Sequence, residues 1–387
     1  MRKKMLALII GLGTLTPTVA PLAAREGLMV IASPALQPIA QALAKRLANK
    51  QAGQAVRVRA LENGQAVQAF CQWPGVRASA LLLTTRSLRR DERETCKALG
   101  VQDVEEGVIG YGGLVLVQSP QGLRMDLAPE QLYQALAAEV PVGGKLVPNP
   151  YRLWSDVNAL LPPQPIMVVA STAVRKRLAE GVLRNVCREG MLPFWRATRV
   201  QLGNPKAFEQ HVRDHCSALR KDRHLVAPGK GGAAALVTLV SGNTRLLGVM
   251  DLAAFRRARA PLAVVPVHGV LPAPEALEKG AYALGWAAHV HVMRAHRPRG
   301  AAISAFLREL LSDRAIGGNG YLARLGLAPL SPARRQRVRE QLLQARQQEQ
   351  FSGQQQQSGD RQPEDLRQPE ELRQPYQDAS SPRPPER

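Results

Sequence analysis

From residue 27 onward, short apolar runs alternate with longer stretches whose apolar positions recur every three or four residues. The run at 28–32 is apolar throughout, as in a strand covered on both faces. Leu36, Ile39, Ala40, Leu43 and Leu47 then share one helical face, which predicts a helix reaching residue 50. The same reading places strands at 56–61 and 80–84 and helices at 65–71 and 91–99. Strand and helix in repetition call for parallel strands with crossover helices, an α/β fold.

A further strand is expected at 114–118, closed by Pro120. The middle section has its own pattern: a helix at 129–137, a strand at 166–169, and helices from Thr172 and Lys206. Gly- and Pro-rich joints at 141–150 and 160–165 read as long loops. Strands follow at 246–249, 263–267 and 289–293, then a helix at 301–311 with Ile303, Phe306, Leu307 and Leu310 on one face. Beyond residue 330 the character changes. Residues 333–346 predict a polar, Arg- and Gln-rich helix, and 347–387 is a Gln- and Pro-rich tail with an RQPE repeat at 361 and 367 and a shortened RQP at 373. So polar a tail buries too little surface to offset its ordering entropy, and disorder is the expectation.

The 387 residues suffice for one large two-lobed domain, and a hydrophobic fraction of 45% supports a sizeable core. Aromatics are only 4%, so Ala, Leu and Val must supply most of that core. Lys and Arg number 52 against 31 Asp and Glu, a net +21 that favours anionic partners. These basic residues are spread through every segment, so nucleic acid is not expected as a partner. At the N-terminus, Arg2, Lys3 and Lys4 precede an apolar run at 5–15, with small residues at Ala20, Ala23 and Ala24. That is the pattern of a cleaved export signal over 1–24, too short to span a bilayer and without a cysteine for lipidation.

An exported chain with four cysteines suggests two disulfides, and four can pair in three ways. Cys71 with Cys96 and Cys187 with Cys216 is the most local choice. No Cys-x-x-Cys or Cys-x-x-His pair supports a zinc site instead.

The sequence holds no Gly-x-Ser-x-Gly elbow, no His-Glu-x-x-His and no phosphate loop ending in Gly-Lys-Ser/Thr. Gly229, Gly231 and Gly232 surround Lys230 without the following hydroxyl, and read as a turn before a helix. His289 and His291 are two apart in a strand and face the same side, with His296 nearby. A pair without a third well-spaced ligand reads as structural, and neither a metal nor any other cofactor is expected. Hydroxyl-bearing or basic residues do recur just after strands: Ser33, then Thr84, Thr85 and Arg86, then Thr172 and Arg175. Singly each reads as a helix cap. Together they lie where open parallel sheets bind ligands, outside the strands' carboxyl ends, and suit a tetrahedral oxyanion.

These segments resemble the phosphate ABC transporter periplasmic substrate-binding protein family over about 27–337. The stretch VIASPALQPIAQAL at 30–43 is similar to its opening strand, loop and helix. AFC at 69–71, TTRS at 84–87 and ETCKALG at 94–100 follow at the expected places, and IGYGGLVLV at 109–117 looks like its first hinge strand. GVLPAPEALEKGAYAL at 269–284, AFLRELLS at 305–312 and GYLARLGLAPL at 320–330 match its later segments.

The resemblance implies a type II periplasmic binding fold: two lobes, each a mainly parallel sheet flanked by helices, with a ligand in the cleft and hinge-bending closure. It places lobe I at 25–114 and 250–330 and lobe II at 115–249, and supports the local cysteine pairing. It implies a monomeric periplasmic protein, not an enzyme, that binds inorganic phosphate or a similar oxyanion for an ABC transporter permease. The implied ligand residues are Ser33, Asn63, Thr85, Arg86, Thr172 and Arg175.

The loops depart from the family's. Its Gly-Ser-Ser-Thr reads Ala32-Ser-Pro-Ala35 here, its Gly-Thr-Gly reads Glu62-Asn-Gly64, and its Ser-Gly-Thr-Arg reads Thr172-Ala-Val-Arg175. These changes motivate a second reading, a binding-protein scaffold turned to interaction or sensing.

Overall fold

The computed structural model describes residues 27–50, 56–73, 79–293 and 301–343. The expected export signal, His296 and the repeat-bearing tail lie outside these residues.

The first segment runs β1 (Leu28–Ala32), α1 (Gln37–Lys50), β2 (Val56–Ala60), α2 (Asn63–Cys71), β3 (Ser79–Thr84) and α3 (Arg90–Ala98). β1 lies between β2 and β3 and is parallel to both. Alternation sorts the strand side chains. Val30, Leu81 and Leu83 pack with Leu36, Ile39 and Leu43 of the α1 layer, while Ile31, Ala80 and Leu82 pack with Val67 and Phe70 of α2. Cys71 and Cys96 join α2 to α3 in the local pairing.

β4 (Val104–Gln118) is far longer than the strand expected at 114–118. Its glycines conceal the extended part from a hydrophobicity reading. Gly112 is needed because a Cβ there would stand 2.1 Å from a ring carbon of Trp286.

The chain then forms α4 (Pro129–Leu136), β5 (Glu139–Val142), β6 (Lys145–Pro148), α5 (Trp154–Val157), β7 (Val168–Ala170) and α6 (Thr172–Arg177). Residues 141–150 were expected as a loop, and most of them form the β5–β6 hairpin instead. Gly143 and Gly144 have φ of 57° and 79°, the two positive values that a tight hairpin turn needs. A π-helical turn (Leu178–Leu183) carries α6 directly into α7 (Arg184–Arg188), so 172–188 is one helical run. Next come α8 (Pro193–Leu202), α9 (Pro205–His215), β8 (Leu225–Val226), α10 (Gly232–Ser241), β9 (Leu247–Asp251) and α11 (Leu252–Arg257). β7 is parallel to both β8 and β9, and Cys187–Cys216 fastens α7 to the end of α9.

The last segment comprises β10 (Ala263–Val265), α12 (Pro274–Glu278), β11 (Gly285–Met293), α13 (Ala301–Leu310), α14 (Asp313–Ile316), α15 (Tyr321–Arg324) and α16 (Pro332–Leu343). The strands lie in the order β2-β1-β3-β11-β4-β9-β7-β8, with β10 also on β4. Parallel pairs occupy the two flanks, and antiparallel β11 and β4 join them. Residues 104–113 of β4 pair with β11, whereas 114–117 pair with β9 and 116–118 with β10. One strand thus serves both halves.

α16 is the polar helix expected near the C-terminus, and it is docked. Val338 and Leu342 are buried over Gly107, whose missing side chain makes the room. Among the described residues, no helix is long and apolar enough to cross a membrane.

Candidate functional site

The carboxyl ends of β1, β2 and β3 stand side by side; Ser33 and Thr85 lie in the loops leaving β1 and β3, and Asn63 opens α2 after β2. The Ser33 backbone is fully engaged: its N–H donates to the Leu83 carbonyl at 2.8 Å, and its carbonyl accepts from the amides of Leu36 and Gln37. The residue is only 2% exposed, yet its Oγ has no hydrogen-bond partner among the described residues. A buried hydroxyl left so costs about 1–3 kcal/mol.

Asn63 and Thr85 grip each other across the same edge. Asn63 Nδ2 donates to Thr85 Oγ1 at 2.8 Å, and the Thr85 N–H donates back to Asn63 Oδ1 at 3.2 Å. Because Thr85 Oγ1 is the acceptor in the first bond, its own hydrogen remains to be donated. Two hydroxyl donors, from Ser33 and Thr85, therefore leave adjacent strands. Donors without acceptors are what an anion needs.

Arg86 was expected to offer its fork to the ligand, and the structure engages it elsewhere. Its Nη1 and Nη2 donate to the two carboxylate oxygens of Glu92 at 2.7 and 2.6 Å. A bidentate pair of this kind is the strongest use of a guanidinium, and Glu92 lies six residues on, at the start of α3. Burial raises the Glu92 carboxyl, but bonds from Arg86 and the Arg89 amide hold it below the usual carboxylate range.

On the other half of the sheet, β7 leads into α6. Ser171 Oγ caps that helix by accepting from the Val174 amide at 3.4 Å, so Thr172 is its exposed first residue. The α6 N-terminus brings unpaired amide donors and the positive end of the helix dipole. Arg175 was likewise expected to face the ligand. Its Nε donates to the Ala170 carbonyl at 3.0 Å and its Nη2 to the Leu225 carbonyl at 3.2 Å, which ties α6 to the ends of β7 and β8.

Two residues that the sequence reading passed over link the halves. Lys176 Nζ lies 2.5 Å from Glu62 Oε1, joining α6 to the entry of α2. Thr172, four residues before Lys176, is on the same helical face. Glu180 stands close by: burial, then the charge of Glu62 and a hydrogen bond to it, push its carboxyl up. The sequence signal was the i, i+4 spacing of Thr172, Lys176 and Glu180, a face readable only once Glu62 is known to lie opposite. The departure at Glu62 therefore pairs a carboxylate with a lysine of the other half.

His289 and His291 do face one side, their rings stacked 6.0 Å apart with planes 13° from parallel.

The most similar solved structures include a possible phosphate binding protein from Planctomyces limnophilus, 19% identical over 83% of this chain and 99% of that one, with a TM-score of 0.60. PstS from Borrelia burgdorferi follows, 14% identical over 79% of this chain and all of the other, with a TM-score of 0.53. An ABC-type phosphate transport receptor from Vibrio cholerae is 15% identical over 79% and 100%, with a TM-score of 0.50. At such identities the likeness concerns fold. No curated protein matches the chain in sequence. The family model described as the PBP superfamily domain matches residues 17–314. With a fold of two sheet halves sharing a central strand, and a match over most of its length, this chain belongs to the PBP superfamily.

Proposed function

We propose that this chain is an exported, periplasmic solute-binding protein that takes phosphate or a related tetrahedral oxyanion and presents it to an ABC transporter permease. The observation that carries this reading is the Ser33 hydroxyl, buried at the carboxyl end of β1 with no partner. Beside it Thr85 has a hydrogen to donate, and Asn63 fixes Thr85 in place. Thr172 and the N-terminal amides of α6 complete the donor set from the other half. Arg86 and Arg175 contribute positive charge, their forks being held by Glu92 and by backbone carbonyls. On this reading 25–114 with 250–330 is one lobe and 115–249 the other, hinged along β4. The relatives named for phosphate binding support the same ligand class. Binding of this kind uses fixed donors and requires neither nucleophile nor general base.

Isothermal titration with phosphate, sulfate and methylphosphonate tests the proposal. Micromolar binding of at least one is expected, and no heat for any of them up to millimolar concentration rejects it.

A second reading, an interaction protein on the same scaffold, is favoured by the Glu62–Lys176 pair between the two halves and by the engaged Arg86. Removing the residues after Leu343 separates the two, since α16 remains docked. A transport protein keeps its ligand affinity, whereas an interaction protein loses its partner.

A further inference from the structure

Beneath the Thr85 loop lies a polar network that the binding reading does not use. His291 on β11 is fully buried, and its Nε2 is 2.6 Å from Thr84 Oγ1. The Thr84 hydroxyl has one hydrogen, and it points at the Arg86 carbonyl 2.6 Å away. Thr84 must therefore accept from the ring, which assigns the Nε2–H tautomer to His291. The resulting chain of donors runs from His291 to Thr84 to Arg86 and spans the peptide on either side of Thr85.

The far end of the same loop is pinned from below as well. Ser87 Oγ donates to Glu106 on β4, and Arg93 Nη2 and His289 Nδ1 each lie 2.7 Å from that carboxylate. His291 Nδ1 faces Glu106 at 3.6 Å, beyond hydrogen-bond reach. The other charged groups near the ring are Arg86 and Arg93. Burial pushes the His291 ring down to about 3, so it stays neutral and keeps a single hydrogen.

We infer that His291 is the positioning residue of the oxyanion-binding loop, holding Thr85 in register with Asn63 through the Thr84 hydroxyl and the Arg86 carbonyl. The inference rests on the binding function proposed above. A buried imidazole on a neighbouring strand suits this task because its ring is rigid and its donor reaches Thr84 diagonally across the β3–β11 ladder. An aliphatic residue would fill the space and leave the Thr84 oxygen without its donor. The loop would then keep its backbone path but lose its fixed orientation.

The test uses the full-length protein and three variants: His291→Phe, His291→Gln and Thr84→Val. Gln presents an N–H near the position of the imidazole Nε2–H. Amide hydrogen exchange at residues 85–87 is measured without ligand, and inorganic phosphate affinity by titration. His291→Phe is expected to speed exchange in this loop and to weaken phosphate binding roughly tenfold, with Gln restoring most of both. Combining His291→Phe with Thr84→Val should add little to either alone, because both break one chain. Faster exchange with unchanged affinity, no rescue by Gln, or additive losses overturns the inference. If the wild-type protein binds no oxyanion, the binding proposal fails on its own. The exchange arm then still decides whether His291 orders the loop, and unchanged exchange in His291→Phe overturns that too.

Discussion

Ser33→Ala should move stability and binding in opposite directions. The Oγ atom is buried with no partner, while the Ser33 backbone is held at both its N–H and its carbonyl, so the substitution leaves the turn intact. Deleting an unsatisfied buried hydroxyl removes a desolvation penalty of about 1–3 kcal/mol, and the small void left returns part of that. The ligand-free variant should therefore be more stable by about 1 kcal/mol, a rise in Tm of about 1–2 °C for a domain of this size. A hydrogen bond to an oxyanion contributes about 1.5–3 kcal/mol, so phosphate affinity should fall roughly 10- to 150-fold. Thermal melts in phosphate-free buffer and isothermal titration measure the two effects on the same samples. An alanine variant that melts below the wild type and binds phosphate equally well would refute the reasoning. The hydroxyl would then be an ordinary packed atom.

Further expectations concern other parts of the molecule. Glu62→Gln should change stability by less than about 1 kcal/mol, because its pair with Lys176 is solvent-exposed, yet it should lower the Glu180 carboxyl pKa in a carbon-13 NMR titration. The His291 ring stays neutral when folded and takes up a proton when unfolded, so stability should fall as pH drops from about 6.5 towards 3. Urea melts of His291→Phe across that range should show a shallower fall. Gly326→Ala should destabilise by about 3 kcal/mol or more in urea melts, since φ is +110° and the new Cβ would stand 2.0 Å from the Ala253 Cβ. Replacing Cys187 and Cys216 by Ser should cost about 3–4 kcal/mol, because the bridge closes a loop across a sequence separation of 29. Denaturant midpoints check it.

The alternation of apolar runs with amphipathic stretches was enough for the α/β class, because burial on both faces or one face leaves a local signature. Strands β1, β2 and β3 and helices α1 to α3 were legible to within a few residues. Other elements were not, among them α8, β8, the β5–β6 hairpin and the start of β4. The β5–β6 hairpin carries Pro141, Pro148 and two glycines, a composition shared with loops, and only the positive φ values at Gly143 and Gly144 turn it into a hairpin. The glycine-rich start of β4 is extended because Trp286, Val338 and Leu342 pack where side chains are missing, and those residues lie 170 or more positions away in the sequence.

The site divides the same way. Hydroxyl residues after strands could be found from order alone, since strand carboxyl ends are where a parallel sheet opens, and Ser33, Thr85 and Thr172 were found so, whereas Asn63 came only with the family resemblance. Which donors are free is a different question. Arg86 turns to Glu92, Arg175 to two backbone carbonyls, and Glu62 reaches Lys176, while Ser33 alone of the predicted set is buried without a partner. Sequence specifies which hydrogen-bonding groups a residue carries. Their partners are set by distances of 3 Å between positions tens of residues apart, and only the folded chain fixes those.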